Sequence, residues 1–500
     1  MTATIENFKT YVKRMKQLEE AISVLIWDLR TGAPKKGVEQ RSEVIGMLSG
    51  DVFKMSVSQE MGEYLAELTQ PDVLETLDDV TRASVLERKK EYDRSNKIPP
   101  QQYQDYVILT SKAEYAWQEA KANNDFESFR PHLEQIVGTL GEFIEIWGYG
   151  ENKYDTLLDQ FEPGMTVAKI DAIFKPLRER TVALVKAIGE REQVRRDFLK
   201  QNFPKQSQRE FCDFILSQLG YDFEAGRLDE SAHPFAVSLN IGDVRVTTRF
   251  RADDMQSSLF GTIHECGHAM YEQNISTNLL GTFLATGASM GIHESQSRFW
   301  ENMVGRSREF WNRYYADLTA RFPEQFAGVS VEEFYDAVNL VEPSLIRVDA
   351  DELTYNLHIM IRYEIEKDLI NGVITVADLP RIWNEKMEEY LGIVPENNGT
   401  GVLQDIHWAG GAFGYFPSYT LGNIYAAQFE AALRREIPDY QARVAAGDLT
   451  EIKSWLTDKV YRHGKSLEPA EIVQAATGEE INAEYLINYL ESKFRKIYNI

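Results

Sequence analysis

Cysteine is nearly absent: Cys212 and Cys266 are the only two in 500 residues. Two cysteines cannot staple a chain of this length, so a packed core must stabilise it, and the usage fits a reducing compartment. Long apolar runs are missing too. None approaches the ~18–20 residues needed to span a bilayer. The most apolar stretch near the N-terminus, AISVLIW, follows Glu19 and Glu20 in an amphipathic pattern and does not read as a signal peptide. Positive charge is the third shortage. Lys and Arg total 54 against 78 Asp and Glu, a formal net charge of -24. Such a surface repels phosphate backbones and anionic lipid, which argues against nucleic-acid and membrane binding. Internal repeats, low-complexity tracts and long linkers are also lacking. The expectation is a soluble cytoplasmic protein.

Core material is plentiful. Aromatic residues make up 11%, too many for a disordered chain. In the first thirty residues Phe8, Val12, Met15, Leu18, Ile22 and Leu25 recur at spacings of three and four, the helix period. The same period predicts helices in DVLETLDDVTRASVLERKKEYDRS, QVRRDFLKQNF, EEFYDAVNLV, NLHIMIRYEIEKDLI and EYLINYLESKFRKIYN. One region differs: HPFAVSLNIGDVRVTTRF (233–250) has β-branched residues around an IGD turn and reads as a hairpin. GYGENKYDTLLDQFEPGMT (148–166) is the candidate hinge or loop. The fold class is mostly α with a small antiparallel sheet.

The hairpin ends fourteen residues before His264, which opens HECGH (264–268), an H-E-x-x-H string. On a helix this spacing puts His264 and His268 on one face, where one ion can take both. Glu265 is then placed to take a proton from the attacking water rather than to bind metal. With only 8 histidines, chance would produce such a string in about one chain of this size in a hundred. That is too often for the string to carry the assignment alone.

A catalytic zinc takes three protein ligands and leaves one position open. The next dense candidate segment is GASMGIHESQSRFWENM (287–303), which reads as a second helix. Glu294, thirty residues after His264, is the expected third ligand; His293 is its rival, and Glu301 points from nearly the same face. Cys266 falls off the metal-facing side and reads as a small buried residue with modest sensitivity to thiol reagents. Peptide hydrolysis also needs a donor for the oxyanion. His407, Tyr415 and Tyr419 in the glycine-rich 401–425 stretch are candidates. Trimming of C-termini further needs a cation for the free carboxylate. Arg347 and Arg245 are candidates, though acids near each allow a structural ion pair instead.

Six strings in order resemble the carboxypeptidase Taq family of zinc metallocarboxypeptidases across essentially the whole chain. They are HPF (233–235), DVRVT (243–247), HECGH (264–268), HESQ (293–296), IRVDAD (346–351) and GVLQDIHW (401–408). The resemblance implies one helical catalytic unit over 1–500, two-lobed with a deep substrate groove, similar to neurolysin and the angiotensin-converting enzymes. It implies one Zn2+ per chain on His264, His268 and Glu294, with Co2+ able to substitute, and Glu265 as general base. It places Arg347 and Arg245 on the groove, Tyr419 as oxyanion donor with Tyr415 its rival, and His407 and His233 against substrate. The implied activity is broad removal of single C-terminal residues from peptides with a free C-terminus, by a homodimer. Two other readings stay open: an endo-oligopeptidase or dipeptidyl carboxypeptidase on the same scaffold, and a zinc-stabilised peptide-binding protein without chemistry.

Overall fold

The computed structural model describes residues 2–500. Helices dominate, and they assemble into two compact units. The first comprises the chain up to Ser95, Arg195–Val338 and Phe429–Glu479; the second comprises Asn96–Val194, Asn339–Gln428 and Glu480–Ile500. Neither unit is a continuous stretch, so no single linker separates two domains.

The first unit opens with helix α1 (Thr2–Thr31). Its predicted stripe is real at Phe8, Val12 and Met15, each about 1% exposed and packed with Met61, Leu65, Leu68 and Val85. Farther along, Trp27 meets Phe235 edge-on at 5.6 Å and ties α1 to the sheet segment. The predicted helix over DVLETLDDVTRASVLERKKEYDRS is broken. A short turn, Pro71–Leu74, ends before a new helix, Asp79–Lys97. Asp78 makes the break, because its carboxylate accepts from both Thr81 N–H (2.9 Å) and Thr81 Oγ1 (2.6 Å).

QVRRDFLKQNF forms no helix beyond the short turn Asp197–Leu199. Its aromatic residues are buried by partners distant in sequence: Phe203 packs on Phe322 at 5.4 Å and Phe198 on Phe326 at 6.2 Å. Spacing of apolar residues thus reported burial, not helix.

The sheet has three strands, β1 (Leu228–Glu230), β2 (Ala236–Asn240) and β3 (Asp243–Thr248), in the order β1-β3-β2. β2 and β3 form the expected antiparallel hairpin, with an irregularity between Ser238 and Asn240. β1 corrects the expectation of an all-antiparallel sheet: it pairs parallel to β3. The reason is the 231–235 crossover, which reverses the chain once before β2. Thr247, wholly buried in β3, holds that crossover by accepting from Phe235 N–H at 2.9 Å, with Ser231 Oγ 2.7 Å away.

In the second unit the 148–166 segment lies inside the unit and is no hinge between the two. Its Tyr154 is fully buried and donates to Glu366; its Asp155 accepts from Val167 N–H at 2.6 Å. Glu366 lies on helix α4 (Tyr355–Ile370), which is buried on nearly every side. That helix corrects the reading of NLHIMIRYEIEKDLI as amphipathic. Its buried face includes His358, Arg362 and Glu366, each 0% exposed.

Candidate active site

HECGH lies on helix α2 (Met255–Gln273), whose first turn is capped by Asp254 accepting from Ser257 N–H at 3.0 Å. The i, i+4 spacing brings the His264 and His268 ring centroids to 5.0 Å. Against α2 runs helix α3 (Met290–Arg298), started by Ser289 accepting from Ile292 N–H at 3.0 Å. The two helices touch backbone to backbone at Gly267. A Cβ there would lie 2.5 Å from Gln296 O and 2.6 Å from Ser297 Cα, so only glycine allows this approach.

The approach delivers Glu294 of α3 to the two histidines. Its Oε2 lies 3.7 Å from His264 Nε2 and 3.5 Å from His268 Nε2. Ligand atoms of all three residues fall within 4.8 Å of one another. Burial works against ionisation of Glu294, but Arg298, His264 and His268 outweigh it and hold the carboxyl well below its usual range. Arg298 Nε donates to Glu294 Oε1 at 2.7 Å, leaving Oε2 as the oxygen that faces the histidines. Burial drives His268 down to about 4, so its ring is neutral and can offer a lone pair. Burial opposes a charge on His264, but Glu294 and Glu301 outweigh it and shift its pKa up, so a metal there would displace a proton. Two imidazole nitrogens and one carboxylate oxygen converge and fit one divalent ion with a position to spare.

The rival candidates stand elsewhere around the histidines. A fully buried π-helix, Phe299–Gly305, continues α3 and carries Glu301. Glu301 Oε2 sits 2.9 Å from His264 Nδ1, on the side of the ring away from Glu294. Arg306 and Arg298 also reach Glu301, at 3.1 and 3.3 Å. His293 lies behind His268, Nδ1 to Nδ1 at 2.6 Å, and its Nε2 is 3.0 Å from Glu272. Neither Glu301 nor His293 is in the converging set.

Glu265 sits beside His264 on α2. Burial pushes its carboxyl up to about 7, opposed by His264 and by the N–H of Ala236 at the start of β2. The start of β2 thus lies near enough to influence the expected base. Cys266 points into the core, 0% exposed, and burial raises its thiol far above the usual range. Sensitivity to thiol reagents is therefore not expected there. His233 is exposed next to this region, its carbonyl accepting from Ser231 Oγ at 2.6 Å. Arg245 pairs in bidentate fashion with Asp243 (2.7 and 2.6 Å) over the Trp27 ring, and lines a cleft of about 700 Å³ with Arg41 and Arg227.

The second unit gathers the remaining candidates. Arg347, 6% exposed, donates through Nε and Nη2 to Asp405 Oδ1 (3.1 and 2.9 Å) and through Nη1 to Tyr355 (3.0 Å). Its guanidinium lies 5.1 Å from the Tyr419 ring centroid. Tyr419 and Tyr415 pack edge to face at 5.2 Å, and His407 stands 5.5 Å from Tyr415 and 6.4 Å from Tyr419. Burial takes His407 down to about 4, so it is a neutral donor or acceptor. Trp408, by contrast, is structural: its indole donates to Glu366 at 2.7 Å in the buried core.

Sequence reasoning missed Arg362 and underused Asp405. Arg362, wholly buried, donates through Nε to Asp405 Oδ2 at 2.7 Å and through Nη2 to Gln404 at 2.8 Å. Two guanidiniums therefore share one carboxylate. Burial opposes ionisation of Asp405, yet Arg362 and Arg347 hold it well below its usual range. The only signal in the sequence was QD embedded in GVLQDIHW, polar residues in an apolar run.

Residues 7–494 match the family model described as Carboxypeptidase Taq (M32) metallopeptidase. The chain is 49% identical over 496 residues to carboxypeptidase 1 of Bacillus subtilis, covering 99% of this chain and 98% of that one. It is 39% identical over 511 residues to thermostable carboxypeptidase 1 of Thermus thermophilus, covering 99% of each. The crystal structure of a carboxypeptidase from Deinococcus radiodurans superposes with a TM-score of 0.96 at 35% identity, covering 100% of both chains. With a match over nearly its whole length, and two histidines of its H-E-x-x-H helix converging with a carboxylate of the neighbouring helix, the chain belongs to the carboxypeptidase Taq family and is a metallocarboxypeptidase.

Proposed function

We propose that the protein is a zinc exopeptidase that releases one C-terminal residue at a time, with broad side-chain tolerance. The observation that carries the metal part is the convergence of His264, His268 and Glu294. Bound there, one Zn2+ (or Co2+ in its place) would polarise the scissile carbonyl and acidify water at the open position. Glu265 takes the proton of the attacking water and returns it to the leaving amine. Tyr419, or its neighbour Tyr415, donates to the oxyanion, with His407 and His233 against substrate.

The exopeptidase part is supported by charge. Arg347 and Arg362 together bring two positive charges to one buried carboxylate, Asp405. His407 and His358, both driven down by burial, add no charge and no compensation. A substrate's terminal carboxylate is the anion such a cluster suits, and Arg347, the more exposed of the two, is its receptor. Arg245 is already paired with Asp243, and we assign it to shaping the substrate path.

We treat the two units as parts of one catalytic entity, because each is built from three separated stretches of chain. A homodimer follows from the family resemblance, and light scattering tests it. A cytoplasmic location rests on the two buried, unpaired cysteines; no helix among the described residues is long and apolar enough to cross a membrane. The functional test pairs a peptide with its C-terminally amidated twin. Release of the last residue from the free acid alone supports the proposal; comparable cleavage of both turns it into an endopeptidase.

A further inference from the structure

We propose that His293 and Glu272 are positioning residues: together they fix the tautomer and orientation of His268 through a two-step relay behind the metal centre. The inference rests on His268 serving as a metal ligand, as argued above.

Proton positions follow from elimination, not from observed hydrogens. A neutral imidazole that offers its Nε2 lone pair to a metal must carry its proton on Nδ1. For His264 the acceptor of that proton is plain, since Glu301 lies 2.9 Å from Nδ1. His268 has no carboxylate there. Its Nδ1 faces His293 Nδ1 at 2.6 Å. The contact works only if His293 presents a lone pair at Nδ1, which puts the His293 proton on Nε2. That nitrogen lies 3.0 Å from Glu272 Oε1.

Glu272 is equipped to hold this arrangement. Its side chain is 6% exposed, and the same Oε1 accepts from Gly287 N–H at 2.9 Å and Thr286 Oγ1 at 3.2 Å. It lies four residues after His268 on α2, so both ends of the relay share one rigid element. The middle member is held by shape. A Cβ on Gly287 would come within 2.6 Å of His293 Cδ2, and Tyr271 packs against the His293 ring at a centroid distance of 5.2 Å. The slot leaves His293 little freedom to turn. Adjacent residues in HESQ thus serve different ends: Glu294 faces the metal position and His293 buttresses a ligand from behind. Outer contacts of this kind set ligand orientation and basicity, and their loss typically lowers metal affinity by about 10–100-fold.

The test is Zn2+ affinity, measured by competition with a chromophoric chelator on the full-length protein. His293→Phe keeps the ring volume and removes both nitrogens. It should bind Zn2+ about 10–100-fold more weakly. Glu272→Gln keeps an amide oxygen for Gly287 and His293 and should fall between wild type and Glu272→Leu. Affinity of His293→Phe within about twofold of wild type would overturn the relay. So would a loss beyond about a thousandfold with an altered Co2+ spectrum, because His293 would then be a ligand itself. If His293→Phe does not fold, the graded order of Glu272→Gln and Glu272→Leu carries the test, and equal affinities overturn the proposal. His268→Ala separates the two readings. If it retains full affinity, the metal assignment itself fails; if it loses Zn2+ while His293→Phe does not, only the relay fails.

Discussion

At the residue scale, Glu265 and Arg347 divide the chemistry that the account assigns. Glu265 is beside the ligands but outside the converging set, so Glu265→Gln should keep stoichiometric metal while lowering kcat by about 10²–10⁴-fold. Metal analysis together with steady-state rates checks this; a variant within tenfold of wild type would remove Glu265 from the base role. Arg347→Ala should cost free-acid peptides about 10–100-fold in kcat/KM, the value of one charge-assisted hydrogen bond or two. The amidated twin should be affected far less, so the ratio between the two substrates is the readout. Single residues were legible in the sequence where spacing encodes geometry. His264 and His268 are placed by the helix period, and Glu294 by the need for a third ligand. Arg362, Asp405 and Glu272 were not legible, because their roles come from partners that only tertiary packing supplies.

At the scale of elements, the α2–α3 crossing positions the centre. Gly267→Ala forces a methyl against Gln296 and Ser297, and the strain of overpacking is about 1–3 kcal/mol. Part of it should appear as displacement of α3, so the variant should lose Zn2+ affinity as well as thermal stability. Differential scanning calorimetry with and without metal separates the two losses. Gly267→Ala binding Zn2+ like wild type would show that the crossing is slack. Periodicity read α1 and the helix Glu484–Tyr498, passed over long helices such as Pro100–Asn123 and Phe126–Trp147, and was misled in two physical situations. It failed where apolar residues are buried in irregular backbone, as at Phe198 and Phe203. Along α4 it read the helix correctly but not its burial, because polar groups enter the core there. The parallel pairing of β1 was beyond it, since a three-residue edge strand has no period to read.

At the scale of the whole molecule, charge is decisive. An acidic surface coexists with a buried cationic pair held by one carboxylate, Asp405. Its folded value lies below the unfolded 3.8, so its stabilisation is fully present above about pH 4. That stabilisation is lost as pH falls through the folded value. Urea midpoints should therefore drop as pH is lowered from about 4 towards 2, and Asp405→Asn should show a smaller drop from a lower starting point. The neutral pH loss should be about 3–5 kcal/mol, because two buried guanidiniums are left facing an amide. An unchanged pH slope in Asp405→Asn would contradict the ion-pair account.

The central claim is metal-dependent removal of single residues from a free C-terminus. The most direct measurement is time-resolved mass spectrometry of a free-acid peptide digested by the Zn2+-loaded protein, by the chelator-stripped protein, and by the stripped protein after Zn2+ is restored. The account predicts a ladder shortened from the C-terminus by one residue per step, lost on stripping and regained with Zn2+. Internal fragments, two-residue steps, or a ladder indifferent to metal would contradict it.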